Sequence, residues 1–418
     1  MPESRPEAFP ERERRVLRDL ACRVKEASSD PRMAERRRHW TLHNDLEPCL
    51  PIVWLSPEGG WRELLPDSLL QSQGQEARAM EWELRMRLYR YEHFDDASII
   101  EARWEVPKAI EIGGWGIQAE WTYSSDALGA RKFKPVIFAP ADLERLRMPA
   151  VTHDEKESKR RLLIAQDAVG DILDVVQVGQ AHVSVHLMSL YTSWRGLEET
   201  MMDMCDQAQM LHDAMAFITE GHRGIIRQLE EQDLLSLNNN DTYHSSGGKG
   251  WTAKLPAADF DGRHVRPRDM WASAEAQELA LVSPGMHREF AMEYEKTLLA
   301  PFARNGYGCC EDLTRKLDDV LRIPNIWRIS ISPWADVDAC AAKLGGACIF
   351  SWKPNPAHLV GRFDEKAIQA YLAHAVRAAK EHGCHLEMIL KDTHTCENHS
   401  ERFDLWAKLA QEAVGEAW

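Results

Sequence analysis

Eight short apolar runs, separated by longer stretches whose apolar residues recur every three or four positions, constrain this chain more than any other feature. The runs are Leu50–Leu55, Ala109–Ile112, His182–Leu187, Leu234–Leu237, Phe302–Cys309, Trp327–Ile331, Ala347–Trp352 and Leu386–Leu390. Helical periodicity marks Gly196–Glu230, Ala274–Leu299, Glu311–Leu321 and Glu365–His382 between them. Strands that alternate with helices pair in parallel, because a parallel neighbour is reached only through a crossover. Eight such strands predict an α/β fold, a (β/α)8 TIM barrel, with an open doubly wound sheet as the alternative. Residues 9–40 and 65–92 read as charged amphipathic helices, so 1–48 is expected to form a helical N-terminal extension and 49–418 the barrel. The uneven strand spacing requires insertions, among them Asn238–Arg268.

Of the 418 residues, 44% are hydrophobic and 28% charged, the balance of a chain that buries a full core. A net charge of -15 excludes the basic face that phosphate binding needs, so no nucleic-acid partner is expected. The arginines of Glu11-Arg-Glu-Arg-Arg15 and Glu35-Arg-Arg-Arg38 alternate with acids and read as solvated helix faces. No run reaches the roughly 18 apolar residues of a bilayer span, and Met1–Arg15 is charged rather than signal-like; no membrane partner and a cytoplasmic location are expected. Nine cysteines, an odd number, read as reduced thiols, with Cys22, Cys49, Cys205, Cys340 and Cys348 in helical or apolar settings expected to be packing residues.

In a barrel the chemistry sits at the carboxyl ends of the strands. Two such places are rich in soft and imidazole ligands: Tyr307-Gly-Cys-Cys-Glu311 and Asp392-Thr-His-Thr-Cys396. Residues i and i+2 of a strand share a face, so His394 and Cys396, or Cys309 and Glu311, could converge on one point. Thiolate, imidazole and carboxylate suit zinc, while a Cys and Glu pair could equally serve as acid and base without metal. Ser245-Ser-Gly-Gly-Lys-Gly250 lacks phosphate-loop spacing and reads as a flexible insertion. Lys353, before Pro354, reads as a salt-bridged rim residue, with Schiff-base chemistry as its rival. Trp54, Trp115, Trp194, Trp271, Trp334 and Trp352 fall near proposed strand ends and could wall an apolar pocket.

The strand and loop series, with Leu234-Leu-Ser-Leu-Asn238, Asp269-Met-Trp-Ala272, Val282-Ser-Pro-Gly-Met286, Arg328-Ile-Ser-Ile-Ser-Pro333 and Ser351-Trp-Lys-Pro-Asn-Pro356, resembles the uroporphyrinogen decarboxylase superfamily over about residues 45 to 415. More narrowly it resembles the corrinoid-dependent methyltransferase branch. Where the decarboxylases carry an arginine pair for porphyrinogen carboxylates, this chain has Ser56-Pro-Glu-Gly-Gly-Trp61, which departs from a tetrapyrrole substrate. The resemblance implies an O-demethylase-like enzyme that moves a methyl group from a small methylated compound, an aryl methyl ether foremost, to the cobalt of a corrinoid on a partner protein, with zinc assistance. No cobalamin-binding DxHxxG segment occurs here. The branch's late cysteine matches Cys396, whereas its His-x-Cys falls on Tyr307-Gly-Cys309 or Gly308-Cys-Cys310 and lacks the histidine. The expected roles are therefore Cys309, Cys310, His394 and Cys396 as metal ligands, Glu311, His244 and Asp392 in catalysis, and Asn239, His186, Lys353 and Trp334 at the substrate. A metal-independent decarboxylase and a non-catalytic corrinoid or tetrapyrrole carrier stand as the rival expectations.

Overall fold

Residues 9–123 and 132–418 are described by the structure, a computed structural model; residues 1–8 of the predicted extension lie outside them. Seven strands form one parallel sheet: β1 (Ile52–Leu55), β2 (Ser184–Val185), β3 (Trp271–Ala274), β4 (Arg304–Tyr307), β5 (Ile326–Ile331), β6 (Ile349–Trp352) and β7 (His385–Leu390). Their spatial order is β1-β7-β6-β5-β4-β3-β2. From β3 to β7, sequence neighbours are also sheet neighbours and helical crossovers lie between them, as parallel pairing requires.

The period-2 pattern decides which way each strand faces. In β5, Ile329 and Ile331 enter the main hydrophobic core, while Arg328 and Ser330 turn to the opposite, inner face. In β6, Phe350 and Trp352 go to the core and Ser351 inward, and in β7 Leu386, Met388 and Leu390 go to the core with Glu387 inward. Helices Glu365–Glu381 and Glu401–Ala417 cover that apolar face with Leu372, Val376, Phe403 and Trp406, all fully buried. Each such side chain contributes about 1.5–3 kcal/mol by leaving water.

The inner face is polar. Arg328 Nε donates to Glu387 Oε1 at 2.9 Å, His43 Nε2 meets Glu387 Oε2 at 3.2 Å, and Ser351 donates to the same carboxylate. His43 and Asn44 come from the helix Pro31–Asn44 of the N-terminal segment. The Asn44 side chain accepts from Arg328 at 2.6 Å, and its carbonyl accepts from Arg304 and Trp327 at 2.8 and 2.6 Å. This helix therefore seals the amino end of the strands and leaves the carboxyl end open.

Several expectations change. The run Ala109–Ile112 does form a strand, Ala109–Gly113, but it pairs antiparallel with Ala150–Asp154 outside the main sheet. Leu234–Leu237 makes a single parallel bridge, Leu235 to Gln180. Within the main sheet the unforeseen strand is β3, Trp-Ala-Ser-Ala, whose small residues carry no β-branched signal. Glu311–Leu321 is helical only at Leu317–Val320, since Asp312 folds its side chain back onto the Thr314 amide and hydroxyl. The glycine-rich segment is not a loose insertion. It lies against the inner face, where Gly248, at φ +90°, leaves no room for a Cβ beside the Arg328 guanidinium and the Glu387 carboxylate. Of the five cysteines read as packing residues, Cys340 and Cys348 are buried, but Cys22 and Cys205 are exposed on helix surfaces. Among the described residues, no helix is long and apolar enough to cross a membrane.

Candidate active site

Side chains at or just beyond the carboxyl ends of four strands line one cavity of ≈ 140 Å³: Ser184 and His186 at β2, Glu275 after β3, Cys309 after β4 and Lys391 after β7. Tyr243, Ser245 and Ser246, from the segment that crosses the inner face, line its other side. That segment is held by Ser246 Oγ against Ser330 Oγ at 2.5 Å, and Gly306 gives Ser245 the space to lie against β4.

His186 and Glu275 form a pair. The Glu275 carboxylate accepts from His186 Nδ1 and, through its other oxygen, from the Gln277 amide at 2.9 Å. Because the carboxylate only accepts, the proton sits on Nδ1 and the second ring nitrogen is left for the cavity. Burial lowers the affinity of His186 for a second proton, but the bond to Glu275 and the charges of Glu275, Glu278 and Glu311 outweigh it and raise its pKa. Glu278, behind Glu275, is pushed up to about 7 by burial and by the Glu275 charge, and its Oε2 is buried without a hydrogen-bond partner.

Glu311 is 1% exposed; Oε2 accepts the Cys309 amide at 2.9 Å and Oε1 has no partner. Burial and the neighbouring Glu275 push its carboxyl up. The two adjacent thiols stand 3.5 Å apart, with Cys309 Sγ 3.9 Å from Lys391 Nζ and Cys310 Sγ 3.7 Å from Asp392 Oδ2. Asp392, at φ +57°, closes the group through a 3.2 Å contact from its Oδ1 to Lys391.

The structure thus groups Cys309, Cys310, Glu311, Asp392 and His186 about the cavity and leaves the other expected residues out of this group. Cys396 is fully buried, and its thiol, pushed up to about 12 by burial, donates to Glu63 Oε2 at 3.0 Å. His394 is exposed on the loop beside Gly59. The set Cys309, Cys310, His394 and Cys396 does not gather: among the described residues, no three His, Cys, Asp or Glu side chains are arranged to hold a metal ion. His244 is buried, bonded to the Asn238 carbonyl at 2.9 Å and stacked on Trp271, which makes it a brace of the crossing segment. Asn239 donates to the Leu255 carbonyl at 2.7 Å and holds a turn. Lys353 is buried rather than on the rim; it donates to the Ser351 carbonyl at 3.1 Å and the Ser351 hydroxyl, and burial pushes it down to about 7.

Trp194, Trp271 and Trp352 are core residues, Trp334 is 69% exposed, and no tryptophan lines the cavity. In a larger hollow of ≈ 330 Å³ beside Trp54, Lys249 is paired with Asp241 at 2.8 Å, Arg87 with Glu83 at 2.9 Å and Arg103 with Glu105 at 3.2 Å, while Arg90 donates to the Leu55 carbonyl at 2.8 Å.

Glu275 and Lys391 are the cavity residues that sequence reasoning missed. Glu275 follows the overlooked strand, and Lys391 is the inner-face position four residues, or two period-2 steps, after Glu387, a signal that could have found it.

No family model matches the chain, and no curated protein matches it. Among solved structures it is similar to a methyltransferase from Methanosarcina mazei, at 11% identity and a TM-score of 0.46, over 91% of this chain and 98% of that one.

Proposed function

We propose that the protein is a methyltransferase that moves a methyl group from a small methylated compound to the cobalt of a corrinoid carried by a partner protein, with His186 as the proton donor. The observation that carries this reading is the His186–Glu275 pair at the open end of the sheet, on a cavity with room for a small donor. A methylated heteroatom leaves poorly as an anion, so the step needs an acid at that atom. As the bond from carbon to heteroatom breaks, the methyl group passes to the acceptor and the heteroatom takes the His186 proton. Glu275 stabilises the imidazolium before transfer and keeps the ring in one orientation. No step runs through zinc, because the four expected ligands do not gather around one point. We also read the seven strands as the greater part of a closed eight-stranded barrel: Ala97 donates to the Val53 carbonyl at 2.9 Å beyond β1, and the Gln180–Leu235 bridge leads into β2.

The test incubates the purified protein with a reduced corrinoid protein and a panel of methoxylated compounds and methylamines, and follows the methylcobalamin spectrum. His186→Gln is expected to slow its appearance by about 10²–10⁴-fold, and wild-type activity to fall as pH rises past the raised His186 pKa. Absence of the spectrum with every donor overturns the reading.

A further inference from the structure

The cavity carries information about its ligand beyond the acid that faces it. A cavity of 150 Å³ takes benzene, so the ≈ 140 Å³ here surrounds about six non-hydrogen atoms, fewer than an aryl methyl ether carries. The lining argues the same way, since it contains four serines, two histidines, a tyrosine and a lysine but no large apolar wall.

Charge is distributed unevenly along it. The His186–Glu275 pair stands after β2 and β3. Lys391, after β7, is 8% exposed, and the structure gives its ammonium contacts to Asp392 at 3.2 Å and Cys309 at 3.9 Å. An ammonium has three N–H bonds, so these two contacts leave one for a ligand. Ser245 lines the same cavity, and its hydroxyl oxygen is buried without a hydrogen-bond partner among the described residues. A buried hydroxyl without a partner costs free energy, and a bound acceptor removes that cost. Asp392 lies on the outer side, shared between Lys391 and Cys310. Lys391 is the cation among the lining groups that keeps an N–H for the cavity beyond its ion pair with Asp392.

We propose that the methyl donor is a small carboxylate: Lys391 and Ser245 hold the carboxylate, and the methylated heteroatom, one or two carbons away, faces His186. The assignment rests on the cavity being the active site. It gives the transfer a fixed orientation, because a carboxylate anchored at Lys391 turns the methylated heteroatom toward the imidazole. It also names Lys391 and Ser245, the first residue of the glycine-rich segment, as the specificity residues.

Methoxyacetate and its neutral counterpart 2-methoxyethanol are the probes, titrated calorimetrically into the whole protein without any corrinoid. A charge-assisted hydrogen bond to a carboxylate, in a site that excludes water, favours methoxyacetate by about 10–100-fold. Lys391→Met should abolish that preference, and Ser245→Ala, which leaves every charge in place, should weaken methoxyacetate by about 3–10-fold while leaving 2-methoxyethanol unchanged. Equal affinity for the two probes, or a preference that survives in both variants, overturns the proposal. The two readings fail separately. If methoxyacetate binds through Lys391 and no methyl group moves in the corrinoid assay, the carboxylate site stands and methyl transfer falls; if neutral donors transfer as well as their acidic counterparts, the reverse holds.

Discussion

Replacing Glu387 by Gln tests whether the polar inner face holds this fold together. The carboxylate and its main partner, Arg328, are both fully buried, with Nε to Oε1 at 2.9 Å and NH2 to Oε2 at 3.3 Å. His43 and Ser351 bond the same two oxygens, and together these contacts hold the carboxyl well below the usual range. At an effective dielectric of about 20, two unit charges 2.9 Å apart attract by roughly 6 kcal/mol, much of it offset by the cost of burying them. Glu387→Gln keeps the volume and removes the charge, which strands the Arg328 guanidinium in the interior; the expected loss is about 3–5 kcal/mol. Urea unfolding should show this as a lower midpoint with an unchanged slope. The double variant Arg328→Met with Glu387→Leu removes both charges and should recover most of the loss. Because the folded pKa of Glu387 lies below its unfolded value, its contribution is complete above about pH 4.3 and is lost as pH falls through the folded value. The gap between wild type and Glu387→Gln should therefore narrow in acid. A loss under about 1 kcal/mol at pH 7, or a double variant as unstable as the single one, refutes the reasoning.

His244 offers a second pH test: burial pushes it down to about 3, below its unfolded value near 6.5, so the unfolded chain binds the extra proton first and stability falls as pH drops through that window. His244→Asn should be less stable than wild type at pH 7.5, with the gap about 2 kcal/mol smaller at pH 5 when midpoints are compared. Cys396→Ala removes the hydrogen bond to Glu63 and should cost about 1–2 kcal/mol while leaving the metal content of the purified protein unchanged; a loss of bound zinc in this variant would restore the ligand set that the geometry disperses.

Period-2 patterning gave away β4 to β7, because a strand packed on helices must bury every second side chain, and that requirement is written locally in Trp327–Ile331 and Leu386–Leu390. The same local logic placed Cys309, Cys310, Glu311 and Asp392 at the open end of the sheet, where the structure finds them. It failed for Trp-Ala-Ser-Ala at β3, whose alternation is between small residues, and so it missed Glu275 behind that strand. It also grouped Cys396 with Cys310, when the loop turns the Cys396 thiol onto Glu63 instead. The His186–Glu275 contact joins residues 89 positions apart, and the glycine-rich segment reaches the inner face only because Gly306 and Gly248 leave room for it. The sequence by itself determined which residues alternate, which are apolar and which could carry charge. Tertiary structure alone decided which of those charges meet, because strand order and loop paths set distances that no local pattern of residues encodes.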